Sequence, residues 1–179
     1  MRKNYHNKYI ILKMFFVLFI IAIPFVALTF LFTVVLSNCK INSASMEPTL
    51  RTGNTVFFNN LAYVKNDIER GDVVLFWSDE FDEYMSKRVI GLPGDEVSFR
   101  DGYVMINGHY CDESIYIKEN IYTNSFDIFT VPNECYFLLG DNREYSYDSR
   151  YWMNPYISKD KIIGRYLIQI DFHLLKRGK

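Results

Sequence analysis

Two short segments carry residue types that together could perform hydrolysis. The first contains Ser45, and the second begins with Lys87 and continues into Val89, Ile90 and Leu92. A serine hydroxyl is a weak nucleophile and needs a base. A lysine can be that base when apolar surroundings lower the pKa of its ammonium group toward neutrality. Either residue alone is unremarkable, but as a pair they indicate nucleophilic catalysis by a serine with a lysine base.

Histidine is the more usual base for a serine, but none of the three histidines has a suitable context. His6 precedes a long apolar segment, His109 follows an Asn-Gly turn, and His173 lies near a basic C-terminal end. The first is expected on the other side of a membrane, and the second is expected to face solvent. A histidine-based triad is therefore not predicted.

The cysteines do not suggest a cofactor. Cys39, Cys111 and Cys135 include no Cys-x-x-Cys pair and form no cluster with histidine, so we predict no metal and no cofactor. A disulfide between Cys111 and Cys135 is possible, whereas buried free thiols are the favoured interpretation. The spacing alone does not decide between them.

One apolar segment should determine where the serine and lysine work. Residues 14–36 carry no charge, and a helix of that length spans the ~30 Å hydrocarbon core of a bilayer. A cleaved signal peptide is less favoured, because the run is long and no small-x-small site closes it. Four bases precede the run and one closely follows it, namely Arg2, Lys3, Lys8, Lys13 and Lys40.

This charge bias predicts that the chain has three segments and passes once through the cell membrane. We expect a basic cytoplasmic tail over 1–13, a transmembrane signal-anchor helix over 14–36, and an extracytoplasmic catalytic β-domain over 37–179. Acidic residues outnumber basic ones beyond the anchor, so the asymmetry indicates membrane topology and not nucleic-acid binding.

The extracytoplasmic part is predicted to be mainly β. Gly and Asx turns, including Asn107-Gly108, separate short apolar runs and favour an antiparallel, barrel-like fold. Residues 112–130 have weak patterning and are expected to form a hairpin excursion or loop. The clearest strand candidates are 73–77, 103–106, 135–139 and 162–170.

Four segments in this order resemble the conserved boxes of bacterial type I signal peptidases. These are membrane-bound Ser-Lys endopeptidases that remove signal peptides from exported proteins. Each match alone is weak, but four ordered matches behind an N-terminal anchor are specific. The resemblance implies a compact signal-peptidase-type β-fold and cleavage after small-x-small residues. The segments are residues 43–50, 70–74, 87–95 and 140–150.

The resemblance also implies roles for the matched positions. Ser45 is the implied nucleophile, Lys87 its base, and Ser146 the hydroxyl that orients the lysine amine. The Ser43 hydroxyl and the Ser45 backbone N–H are implied to form the oxyanion hole. A structural ion-pair network is expected from Asp148, Arg150 and Arg143. An apolar substrate pocket is expected from Met46, Leu50 and Met85.

The implied function is a membrane-anchored endopeptidase whose partners are signal peptides of secreted preproteins and the lipid bilayer. Asn54 and Tyr145 depart from the family pattern, which often has aspartate and asparagine there. One alternative is a self-cleaving regulatory Ser-Lys protease, which the membrane span opposes. The other is a non-catalytic anchored homologue acting in pilus or envelope assembly, which the presence of both Ser45 and Lys87 opposes.

Overall fold

The computed structural model describes residues 2–117, 122–123 and 125–171, with side chains from residue 13 onward except at residue 31. His173 therefore lies outside the described residues, as does the side chain of His6. The chain divides into two compact units, Met1–Leu36 and Ser37–Lys179. The first unit is helical, and the second is built mainly from β-strands.

The first unit is a single helix, α1, over Arg2–Val35, with Pro24 inside it. Within the described residues, its segment Lys13–Val35 is the one helix long and apolar enough to cross a membrane. None of that segment is buried against protein. Apolar side chains exposed around a whole helix suit a lipid environment by length and composition.

The second unit contains, in its described residues, eleven strands in two mainly antiparallel sheets, with a short 3-10 turn at Lys159–Lys161. The strands are β1 Leu36–Lys40, β2 Thr55–Asn59, β3 Val73–Ser78, β4 Glu83–Gly91, β5 Glu96–Arg100, β6 Tyr103–Ile106, β7 His109–Tyr110, β8 Phe129–Thr130, β9 Cys135–Leu139, β10 Tyr156–Ser158 and β11 Ile162–Ile170. The larger sheet has the order β1-β2-β11-β3-β4-β9-β10, and the smaller has the order β7-β6-β5-β8.

The prediction of a mainly β, antiparallel fold behind an apolar helix is confirmed. Asn107 and Gly108 have φ values of 53° and 79°, as a type I′ turn requires between β6 and β7. The described parts of 112–130 are turns and irregular chain up to β8. The strands form two sheets whose closure into a barrel is not shown, so the barrel-like arrangement remains a prediction. Cys39, Cys111 and Cys135 are all free thiols, so the Cys111–Cys135 disulfide is absent.

The centre of the larger sheet supplies a rigid frame. Val73 to Phe76 of β3 are all buried, and β3 pairs with β4 from Val73↔Arg88 to Ser78↔Glu83. A strand that is buried on both faces needs apolar side chains at successive positions, which explains the sequence of β3. β4 therefore holds its side chains, Lys87 among them, against a packed core.

Candidate active site

Lys87 is a buried amine on β4. Only 2% of the residue is exposed, and its Nζ lies 3.2 Å from Ser146 Oγ as a hydrogen-bond donor. Burial lowers the pKa of Lys87 to about 8, against the opposing influence of the Asp148 carboxylate. Removing an ammonium from water disfavours its charged form. About a tenth of the amine is consequently neutral at pH 7.

Ser45 lies in the turn between β1 and β2. Its Oγ is 3.2 Å from Ser43 Oγ, so the two hydroxyls lie within hydrogen-bonding distance. Hydrogen bonds from Glu47 N to Ala44 O (3.1 Å) and from Leu50 N to Met46 O (2.9 Å) close the turn. Ser43 is exposed and Ser45 is half-buried, which leaves this segment accessible to a polypeptide.

Met46 and Leu50 do not line a pocket, contrary to the sequence-based expectation. They are 1% and 0% exposed and pack in a core cluster with Ile41 and Phe58. A side chain without exposed surface cannot contact a substrate here, so their role is to anchor the turn that carries Ser45. Met85 differs, because it is only partly buried on β4.

Gly140 joins the Ser45 turn to the loop that follows β9. A Cβ built on Gly140 would clash with Ser146 Oγ and with the Ser45 carbonyl oxygen. Asn142 strengthens this junction, since its backbone N–H donates to Ser45 O and its Nδ2 donates to Ala44 O, both at 3.1 Å. The Ser45 backbone, the Ser146 hydroxyl and the Lys87 amine therefore belong to one cluster.

Asp148 and Arg150 form a buried bidentate pair beside this cluster. Arg150 Nε donates to Asp148 Oδ1 at 2.8 Å, and Arg150 Nη2 donates to Asp148 Oδ2 at 2.9 Å. Asp148 Oδ2 also accepts from Gly140 N at 3.0 Å. Charge-assisted forks of this kind fix orientation as well as adding energy. The pair thus determines the position of the glycine that separates Ser45 from Ser146.

Arg143 joins the network around Asp148 and Arg150 through Gly140 and through its own carbonyl, and not through an ion pair with Asp148. Its backbone carbonyl accepts from Arg150 Nη2 at 2.7 Å, and its Nε donates to Gly140 O at 3.0 Å. Its two terminal nitrogens donate to Glu113 Oε2 at 2.8 Å and Oε1 at 2.6 Å, and to Thr123 Oγ1 at 2.9 Å. These contacts tie the 112–130 excursion to the loop that follows β9 and carries Ser146.

A third buried pair lies beside Lys87. Arg88 donates to both carboxylate oxygens of Asp141, at 2.7 and 2.6 Å, and its guanidinium lies 3.9 Å from the centre of the Tyr116 ring. Glu113, Thr123, Gly140, Asn142 and Tyr116 were not among the predicted site residues. Gly140 and Asn142 stand in the 140–150 segment singled out from the sequence, whereas the other three had no sequence signal.

One edge of β4 is open next to the lysine. Residues Glu83 to Arg88 pair with β3, but β9 pairs with β4 only between Arg88 and Gly91. No strand in the described part of the chain pairs with the other edge of Glu83–Lys87. An unpaired edge can accept an extended peptide through backbone hydrogen bonds.

Comparison with known proteins identifies the family. Residues 11–170 match the family model described as "Signal peptidase, peptidase S26", and the chain belongs to this family. The resemblance stated from the four sequence segments is thereby confirmed.

Two relatives found by sequence agree with this assignment. The chain is 35% identical to signal peptidase IB of Staphylococcus aureus (strain Mu50) over 162 residues, covering 81% of this chain and 83% of that protein. It is 37% identical to probable signal peptidase I-2 of Synechocystis sp. over 135 residues, covering 72% of this chain but only 60% of that protein. A crystal structure of signal peptidase I from Enterococcus faecalis V583 aligns with a TM-score of 0.48 at 30% identity, over 57% of this chain and 98% of that one.

Proposed function

We propose that this protein is a serine endopeptidase that removes N-terminal signal peptides from exported preproteins. One observation carries the proposal: a buried amine, Lys87 Nζ, is hydrogen-bonded to Ser146 Oγ, which lies with the Ser45 backbone around Gly140. Membership of the signal peptidase family supports the choice of substrate.

In the proposed reaction, neutral Lys87 removes the proton from Ser45 Oγ as that oxygen attacks the scissile carbonyl carbon. The Ser45 N–H and the Ser43 hydroxyl stabilise the resulting oxyanion. The C–N bond then breaks, and the Lys87 ammonium returns its proton to the leaving amine. Lys87 next deprotonates the water that hydrolyses the acyl-enzyme, and Ser45 regains its proton. Ser146 accepts a hydrogen bond from the amine and so keeps it aimed at Ser45.

The substrate is proposed to bind as an extended strand along the open edge of Glu83–Lys87. Backbone pairing there would align any sequence, so side-chain selection must come from the space beside Met85 and the Ser45 turn. Little room at such positions excludes bulky side chains by steric clash, which is the physical basis for a small-x-small preference. This assignment keeps Met85, but neither Met46 nor Leu50, as a pocket residue.

The domain organisation is proposed to follow the charge bias of the sequence. Residues 1–13 are assigned to the cytoplasm, 14–36 to the cell membrane as an anchor, and 37–179 to the outside, because basic residues concentrate before α1. A protease added to intact spheroplasts should digest the 37–179 part and spare a tag placed on the N-terminus. Protection of a C-terminal tag would reverse the assigned orientation.

The decisive test uses the detergent-solubilised full chain and a preprotein with a signal peptide, with the cut mapped by mass spectrometry. The expected cut follows a small-x-small sequence, and Ser45→Ala and Lys87→Ala should each abolish it. Lys159, which lies beside Asp67, and Ser98, which lies on β5 of the smaller sheet, offer matched controls, so Lys159→Ala and Ser98→Ala should retain full activity. Full activity in Ser45→Ala would reject the proposed chemistry. Preprotein binding without cleavage by the wild type would favour the non-catalytic assembly role.

A further inference from the structure

An exposed group of large side chains lies next to the loop that carries Ser146. We call it the aromatic surface and define it as Phe81, Tyr147, Tyr151 and Met153. Their exposed fractions are 37%, 53%, 51% and 90%, which is unusual for neighbouring apolar side chains on one surface. Phe81 lies in the turn between β3 and β4, and the other three follow Ser146 in the chain.

Ring contacts join Phe81, Tyr147 and Tyr151, and a backbone hydrogen bond holds Met153 to the same turn. The rings of Phe81 and Tyr147 are edge to face at 5.9 Å, and those of Tyr147 and Tyr151 are stacked at 5.8 Å. Tyr147 Oη donates to Tyr151 O at 2.9 Å, and Met153 N donates to Glu80 Oε2 at 3.1 Å. The β3–β4 turn is therefore held against the segment after Ser146, and these contacts fix the position of the aromatic surface.

Trp152 links the aromatic surface to the core cluster against which Met85 packs. Phe81 contacts Trp152 with ring centres 6.4 Å apart, and Met85 packs against the core cluster that contains Trp152. Along the open edge of β4, the order from the catalytic end is Lys87, Met85, Glu83 and then the turn with Phe81. At ~3.3 Å per residue, Glu83 lies roughly 13 Å along the strand from Lys87.

We propose that the aromatic surface extends the substrate cleft and receives an apolar side chain of the signal peptide roughly four to six residues before the cut. This inference rests on the proposed function, in which Met85 faces the small residues that precede the scissile bond. Residues further from the cut on that side must then run toward Glu83 and Phe81. Signal peptides carry their apolar core ahead of the cleavage site, and aromatic side chains bury large apolar areas.

The test measures kcat/KM of the full chain on preproteins that differ at one position only. Leucine and serine are compared at the fourth, fifth and sixth residue before the cut. We expect the wild type to favour leucine about tenfold at one of these positions, the size of effect that a few apolar contacts give. Phe81→Ala and Tyr147→Ala should each reduce that ratio toward one, while Tyr147→Phe should preserve it because the ring remains.

The leucine-to-serine ratio separates substrate contact from structural damage, because a partly unfolded preparation lowers both rates equally. Tyr110→Ala provides a matched control, since Tyr110 is an exposed aromatic residue that contacts Tyr103 in the smaller sheet. That variant should keep the wild-type ratio. The inference is overturned if the wild type shows no leucine preference at these three positions, or if Phe81→Ala and Tyr147→Ala keep the preference. Failure of the wild type to cut either preprotein would instead reject the proposed function.

Discussion

Raising the pH from 6 to 8 should increase kcat/KM about fifty-fold, because the proposed reaction needs the neutral amine of Lys87. With a pKa of about 8, roughly 1% of the amine is neutral at pH 6 and about half at pH 8. Above pH 9 the rate should level off. A solvated lysine, with its ordinary pKa of ~10.4, would instead keep gaining about tenfold per pH unit up to pH 10.

The assay is cleavage of a preprotein whose residues around the cut do not titrate between pH 5.5 and 10.5, by enzyme in non-ionic detergent. Melting curves at each pH establish the range in which the protein stays folded, and Lys87→Ala measures the background. A profile that still climbs at pH 10 would refute the argument that burial tunes this amine. A flat profile would exclude lysine as the base.

The same burial should appear in stability. The pKa of Lys87 is lower in the folded chain than in the unfolded one, so its buried charge destabilises the fold at pH values below about 8. The two pKa values, about 8 and ~10.4, correspond to roughly 3 kcal/mol. Lys87→Met should therefore raise the free energy of unfolding by up to that amount at pH 7. The gain should shrink as the pH rises from 8 to 10, and a gain independent of pH would contradict the argument.

Three further substitutions test the geometry of the site. Ser146→Ala removes the acceptor for Lys87 Nζ and should lower kcat roughly 10- to 100-fold with KM little changed, as steady-state kinetics would show. Gly140→Ala places a methyl against Ser146 Oγ and Ser45 O, and should lower kcat at least 100-fold; wild-type kinetics would mean that the loop moves freely. Glu113→Ala leaves the Arg143 guanidinium buried without its carboxylate and should cost roughly 3–5 kcal/mol in urea unfolding, whereas a loss under 1 kcal/mol would show that water replaces the pair.

The sequence was sufficient to predict those structural features whose physical cause lies in neighbouring residues. The apolar run before β1 is long enough for a membrane on composition alone, and Asn107-Gly108 specifies its turn through backbone preference. The strands β9 and β11 have the predicted bounds, because short runs rich in β-branched and aromatic residues between turn residues favour strands. The four ordered segments were enough to identify the family.

Other features depended on which parts of the chain meet in space. Met46 and Leu50 look identical in sequence whether they face a substrate or the core, and only packing against Phe58 decides for the core. Arg143 could pair with any nearby carboxylate, and the fold brings it Glu113 from a segment without sequence patterning.

By itself, the sequence determined the apolar helix, the strand-rich body and the serine and lysine that could react. Only the tertiary structure decided that Lys87 is buried beside Ser146 and that the loop carrying Ser146 meets the Ser45 turn at Gly140. It also decided that one edge of β4 is left open. The reason is that burial and the lowered pKa belong to the environment of a group, which residues distant in the chain create together.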